Sequence, residues 1–546
     1  MMAKEHTPVL IVGAGGAGLS LALLLQQQGV ASVLVERRSE VSWYPRARNL
    51  NFRTLEVFRG LGLASEIRAA SAPVSRVFRR ERLASPDQYE MLDPASLLDA
   101  TAFSPEPSLR YCPQSRTEPI LLAAARARGV DVRYNTELAA FTQTEQGVTA
   151  TLNDRATGRS YAIDVDYLVG ADGAHSRVRE ALGIPTQGQG ILDEHYLFIY
   201  FRTAWDQLIR GYESDVFLID NPDVRGMFFV AERDLGMFIL TYYPSHGESA
   251  EAFTDERCQR LMEKAIGRPD IAVEIVEVAP WQPAQSVAER FQQGRVFLVG
   301  DAAHTMPPKE GLGVNTAIQS AQNLGWKLAA VLHGHASAEL LSTYGAERHP
   351  VAWFAAQHSL SGPAAALLEK IPERQKTSEF FPIVGYRYRS GAIVSGADDA
   401  TTDHDEIALL DREELTGQPG TRVPHVWLER NSEPVSTLDL LDGAFVLLTG
   451  SQGSVWSEAA SRLATSFGVK LAAYRIGSGA DLVDVDRDWS AKLGISSDGA
   501  ILLRPDGFVA WRTRRLETPT APPQTTLEQT LSQILGRSTT STSPRR

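Results

Sequence analysis

The sequence predicts an α/β protein in which a helix-covered parallel sheet is interrupted by a second, antiparallel sheet and followed by a smaller C-terminal unit. Three observations carry this. Apolar strands at residues 9–12, 167–170 and 295–299 each run into a glycine-bearing turn: Gly13-Ala14-Gly15-Gly16-Ala17-Gly18, Ala171-Asp172-Gly173 and Gly300-Asp301. Between the last two turns lie alternating or apolar runs at 196–201, 227–230 and 237–243, which read as antiparallel strands. Beyond residue 420, segments 444–448, 456–467, 470–475, 501–503 and 508–512 read as strand, helix, strand and hairpin, with Pro505-Asp506-Gly507 as the turn.

The first turn has a direct physical reading. Its glycines permit a tight bend and close approach to a pyrophosphate, and the helix behind it offers N-terminal amides and a positive dipole end. Gly29 closes that helix, and a second strand at 32–35 ends at Glu36, placed to accept hydrogen bonds from ribose hydroxyls. This is a Rossmann-like dinucleotide fingerprint, and the three turns together fit one FAD. No residue from Thr7 to Val35 is charged, yet glycines and Ser20 interrupt the run and its periodicity passes from strand to helix to strand. That argues against a signal peptide or membrane span.

At 546 residues and 43% hydrophobic, the chain can bury large cores. Its net charge of −12 argues against a nucleic-acid partner or an anionic membrane surface. The only cysteines, Cys112 and Cys258, cannot form a disulfide framework or a thiolate metal site, so a cytoplasmic enzyme without a metal is expected. The expected organisation is a nucleotide domain at 1–75, 105–186 and 284–365, and a substrate domain at 76–104 and 187–283. A helical segment and linker follow at 366–420, with a helix at 386–390 and an acidic stretch at 403–414. Residues 421–537 form the C-terminal domain and 538–546 a tail too poor in apolar residues to order.

With these turns in place, the chain resembles the single-component FAD-dependent aromatic hydroxylases, the p-hydroxybenzoate hydroxylase and phenol hydroxylase group, and within it the hydroxylases of aromatic polyketide biosynthesis. The resemblance covers residues 8–365 by motif and the remainder by architecture, where it implies a thioredoxin-like domain. That domain has Ser451-Gln452-Gly453-Ser454 at the redox-motif position and no cysteine, which excludes thiol chemistry.

The resemblance implies cofactor contacts from Gly13, Gly15, Gly16, Ala17, Gly18, Glu36 and Arg37, and from Asp172 beside the pyrophosphate. It places the Asp301 carboxylate, after Gly300, on the ribityl chain, where a carboxylate can accept two strong charge-assisted hydrogen bonds. The run Pro307-Pro308-Lys309-Glu310-Gly311-Leu312-Gly313-Val314-Asn315 corresponds to the loop over the isoalloxazine. Pro307 is its candidate catalytic residue, and the positive helix end behind it suits an anionic reduced flavin. Lys309-Glu310 departs from the family, where many relatives carry a glycine before Gly311.

Arg46 corresponds to the arginine that holds the flavin as it moves and is the second catalytic candidate. Arg48 stands where phenol hydroxylases carry an aspartate facing the substrate, so that base is absent. Gln114 matches the glutamine on the flavin side of FAD. In the inserted sheet, Tyr200, Phe229 and Tyr242 are candidate substrate contacts.

No second dinucleotide fingerprint appears, so NADPH or NADH is expected to bind transiently, to reduce the flavin and to leave before O2 reacts. The family's reaction then passes a hydroxyl from a flavin hydroperoxide to an electron-rich ring, here a bulky phenolic or polycyclic aromatic. Baeyer–Villiger insertion or epoxidation by the same flavin, and a flavoprotein that binds a reactive aromatic without turnover, are the alternatives. A monomer or homodimer is expected.

Overall fold

The computed structural model describes residues 5–44, 47–72, 76–92, 100–107, 109–212, 215–230, 235–361, 380–395, 408–410, 414–516 and 521–537. Arg46, the tail 538–546 and most of the acidic stretch 403–414 lie outside them.

The strand Glu5–Val12 pairs in parallel with Ser32–Val35 on one side and Ser160–Gly170 on the other. Val296–Leu298 and Asp131–Arg133 extend the parallel array at its two ends. Val9, Leu10, Ile11, Leu34, Leu168 and Val169 are fully buried, because strands covered on both faces need continuous apolar runs rather than alternation. Gly13 has φ +109°, and a Cβ there would meet the Ala171 carbonyl oxygen at 2.3 Å, so only glycine lets the first turn close against the second.

Both insertions build one seven-stranded sheet, ordered Glu274–Trp281, His195–Arg202, Leu235–Tyr242, Arg225–Val230, Val216–Asp220, Val77–Arg80, Tyr89–Leu92. It is not purely antiparallel as expected. Val216–Asp220 runs parallel to Val77–Arg80, since the chain leaves the sheet after the early strands, completes much of the nucleotide domain and returns in the same direction. One face packs on the helix Asp255–Ile266 through Phe238, Leu240, Cys258 and Met262. The other roofs the cleft described below.

In the C-terminal unit, Phe445–Gly450 and Leu471–Ile476 are parallel and joined by the helix Ser454–Phe467. The hairpin strands Ala500–Leu503 and Val509–Thr513 complete the sheet, and the helix Pro523–Ile534 packs beside it, which is a thioredoxin-like arrangement. The helix expected at 386–390 is absent. Tyr386–Arg387 is a strand paired with Ala408–Leu409, and Arg348 donates to the hydroxyls of Tyr386 at 3.3 Å and Tyr388 at 2.8 Å. Residues two apart share a face only in extended chain, so anchoring both tyrosines on one arginine selects a strand.

The C-terminal unit is joined to the nucleotide domain by buried charge. Arg504 binds Glu347 through two nitrogens, at 2.6 and 2.9 Å, and Lys327 reaches the same carboxylate at 2.8 Å, with all three side chains 0% exposed. Lys327 belongs to the helix Gly313–Leu332, whose N-terminus enters the cleft, so the C-terminal domain buttresses that helix.

Candidate active site

The turns and the inserted sheet enclose one cleft of about 1360 Å³. Gly13, Gly15, Gly16 and Ala17 line it at one end beside Glu36, Arg37 and Asp172. Gln114, Gly300, Asp301, Pro307, Pro308, Gly311, Gly313, Val314 and Asn315 line its middle, and Arg48, Tyr200 and Phe229 its sheet side.

Gly18 does not reach the cleft. A Cβ on it would lie 2.0 Å from the Gly13 carbonyl oxygen, so this glycine serves close packing of helix against turn, and the expectation of a direct cofactor contact is corrected. Tyr242 is also corrected as a substrate contact. Successive residues on a strand face opposite sides, so Met237, Ile239 and Thr241 face the cleft while Tyr242 packs with Phe253 in the core on the far side.

Glu36 is 5% exposed and accepts the Ala14 amide at 3.0 Å and the Arg38 amide and Nε at 3.0 Å each. Burial opposes its charge, but the hydrogen bonds from Arg38 and Ala14 hold its carboxyl below the usual carboxylate range. A fixed anion is therefore available at the end of the second strand. The Asp172 carboxylate accepts from Ser176 Oγ at 2.5 Å and the Val178 amide at 3.1 Å. Its side chain thus stiffens the turn while the turn's backbone borders the cleft.

Asp301 sits in the short turn Gly300–Ala302 with its side chain exposed to the cleft rather than capping a helix. Gly300 has φ +65°, and a Cβ there would stand 3.0 Å from the Ala17 side chain, so the third turn is pressed onto the first. Asn315 pins the loop over the cleft. Its Nδ2 donates to the carbonyls of Gly311 at 2.7 Å and Asn49 at 2.9 Å, and its Oδ1 accepts the Asn51 amide at 3.0 Å. A glycine cradle, the buried carboxylate of Glu36, a second acid at Asp301 and the start of the helix Gly313–Leu332 fit FAD in both size and donor set.

Residues 6–359 match the FAD binding domain family, and residues 416–538 match the family described as aromatic-ring hydroxylase, C-terminal. The chain belongs to the FAD-dependent aromatic-ring hydroxylases. This hydroxylase is 37% identical to the tetracenomycin B2 monooxygenase-dioxygenase of Streptomyces olivaceus, over 98% of this chain and 100% of the relative. It is 38% identical to a 4-methyl-5-nitrocatechol 5-monooxygenase of a Burkholderia species, covering 94% and 96% respectively. Among solved structures, a ternary complex of aklavinone-11 hydroxylase with FAD and aklavinone superposes with a TM-score of 0.88 at 35% identity, over 98% of this chain and 100% of that one. The hydroxylase uses FAD, with NAD(P)H as the reductant general to its family.

Sequence reasoning missed three features of the site. Arg38 clamps Glu36, which the two-residue spacing on an extended segment could have suggested. Glu118 is 1% exposed and accepts from Gln114 at 2.5 Å, its partner four residues earlier on the helix Gln114–Ala127. Phe198, Met237, Ile239 and Trp281 line the cleft on the same face as Tyr200, a set that strand parity would have named once the face of Tyr200 was known. Among the described residues, no group of three or more His, Cys, Asp or Glu side chains could hold a metal, and no helix is long and apolar enough to cross a membrane.

Proposed function

We propose that the enzyme hydroxylates a polycyclic phenolic substrate, consuming NAD(P)H and O2, as a cytoplasmic monomer or homodimer. The observation that carries this reading is the roof of the cleft. Tyr200, Phe198 and Trp281 form a chain of ring contacts with centroids 6.4 and 6.0 Å apart, and Phe229, Met237 and Ile239 continue the same apolar surface. The cleft's volume of about 1360 Å³ exceeds the roughly 300–1,000 Å³ usual for one small ligand, which suits a dinucleotide and a multi-ring molecule together. The aklavinone bound in the structural relative supports the same size of substrate.

Bound FAD supplies the electrophilic oxygen when reduced in the presence of O2. The chain's own groups orient and enclose the reactants. Gly13, Gly15, Gly16, Glu36 and Asp301 would hold the cofactor, the amides at the start of Gly313–Leu332 would stabilise negative charge, and the aromatic roof would exclude water. Pro307 and Arg46 keep their proposed catalytic roles. Purified enzyme given polycyclic phenols should consume NAD(P)H and O2 in a substrate-dependent way and yield products heavier by one oxygen. Aromatic binding without such consumption would favour the non-turnover reading, and product structure would separate hydroxylation from ring insertion or epoxidation.

A further inference from the structure

The helix Gly313–Leu332 carries a polar stripe that continues past the cleft. Seven residues after Asn315, which pins the flavin loop, Gln322 returns to the same helix face, and Asn323 stands beside it, ~12 Å along the axis from Asn315. Asn323 donates to the carboxylates of Glu347 at 2.6 Å and Asp506 at 3.2 Å, the latter in the hairpin turn of the C-terminal domain. Gln322 meets Arg53, which is 3% exposed and forms a joint between three elements. Its Nη2 donates to Gln322 Oε1 and to the Asp506 carbonyl at 2.7 Å each, and its Nη1 to Glu56 at 3.1 Å. Arg422, before the C-terminal sheet, closes on the same Glu56 carboxylate through Nε at 2.9 Å.

Arg53 stands in the first turn of the helix Phe52–Gly60, directly after the strand Asn49–Asn51. Asn51 caps that helix by accepting the Thr54 amide at 3.0 Å, while its own amide donates to Asn315. Segment 49–53 is therefore bonded at one end to Asn315 and at the other to the C-terminal hairpin. Burying these charges costs desolvation that a well-packed apolar junction would avoid, so adhesion alone does not call for them. A fully bonded polar network adds a single register, because directional bonds admit one placement of hairpin, helix and segment where apolar contacts tolerate sliding. The rigid fork of a guanidinium suits such a joint better than a flexible ammonium.

We propose that Arg53 is a positioning residue for the flavin: it locks the start of Gly313–Leu332 and the strand Asn49–Asn51 to the C-terminal hairpin, so that the C-terminal domain sets how closely the helix amides approach the flavin ring. This rests on the reading above that those amides stabilise negative charge. Arg53 does not line the cleft, and it acts through Asn315 and the helix. Dipoles aimed at a charge are effective only while their supports hold them in place, and here the supports belong to another domain.

The test is the midpoint potential of the bound FAD, measured by reductive titration of the holoenzyme against a reference dye. In Arg53→Gln the anionic reduced flavin should lose about tenfold in its balance with the oxidised form, a fall of about 30 mV for a two-electron couple. Leu448→Ala, a cavity in the core of the C-terminal domain, should lower the thermal midpoint and leave the potential where it was. An unchanged potential in Arg53→Gln, or an equal fall in Leu448→Ala, would overturn the assignment. If Arg53→Gln fails to retain FAD, Gln322→Ala removes one of its partners and decides by the same criterion. Asn315→Ala, at the loop itself, tests the reading underneath. A potential that moves there but not in Arg53→Gln overturns the assignment alone, and one that moves in neither overturns the role of the helix start as well.

Discussion

Replacing Glu118 by Gln should remove a pH dependence from FAD binding. Glu118 Oε1 stands 3.5 Å from the position a Cβ would take on Gly15, against the turn proposed to hold the FAD pyrophosphate. Burial pushes its carboxyl up to about 7, against the hydrogen bond from Gln114 and the charge of Arg38, with the charge of Glu36 adding to the rise. A rise from 4.5 to about 7 corresponds to about 3 kcal/mol. Because the folded value is raised, that contribution is whole below pH 4.5 and is lost as pH rises through about 7. A bound pyrophosphate adds negative charge beside the carboxyl and holds its proton more firmly, so FAD binding above that pH takes up a proton. In apo-enzyme titrated with FAD by flavin fluorescence, Kd should weaken by up to about tenfold per pH unit above neutrality. In Glu118→Gln the same plot should run flat, with tighter binding than the unmodified enzyme at alkaline pH. Parallel slopes in the two proteins would refute the reasoning.

Other outcomes follow from the same geometry. Asp301→Ala should weaken FAD retention by on the order of 2 kcal/mol through loss of charge-assisted hydrogen bonds, read as an increased Kd; an unchanged Kd would exclude the ribityl role. Arg504→Met leaves Glu347 buried with Lys327 as its remaining charged partner and should destabilise the domain junction by about 3–5 kcal/mol, seen as a lower thermal midpoint. Glu347 is held far below the ordinary 4.5 by Arg504 and Lys327 despite burial, so its contribution stands above that pH and is lost on acidification. Substrate should accelerate stopped-flow flavin reduction by on the order of tenfold or more, about 1.4 kcal/mol of barrier, and Arg46→Ala should blunt this stimulation while FAD stays bound.

Much of the architecture was legible because burial on both faces leaves uninterrupted apolar strands, and tight turns require glycine where φ is positive. Gly13 and Gly300 illustrate both conditions. The hairpin at Pro505-Asp506-Gly507 was equally readable from its turn residues. Less legible was anything fixed by long-range partners. Tyr386 and Tyr388 form a strand because Arg348 holds both hydroxyls, and nothing local to that segment announces an arginine some forty residues away. Tyr242 was misassigned because both faces of Leu235–Tyr242 carry large apolar residues, and the face of Tyr242 is known only once it is seen to pack in the core with Phe238 and the helix Asp255–Ile266. The environments of Glu118 and Arg48 depend on segments brought together only by the fold, so neither the raised carboxyl nor the guanidinium stacked on Phe229 has a sequence signature.

The central claim, that this chain inserts one atom of O2 into a phenolic polycycle, is tested most directly by single-turnover reaction under ¹⁸O2 with reduced holoenzyme and a polycyclic phenol. The account predicts a product carrying one ¹⁸O atom as a new ring hydroxyl, ortho or para to an existing phenolic oxygen. Oxidation of the flavin with hydrogen peroxide as the sole oxygen product, across substrates that bind the cleft, would contradict it.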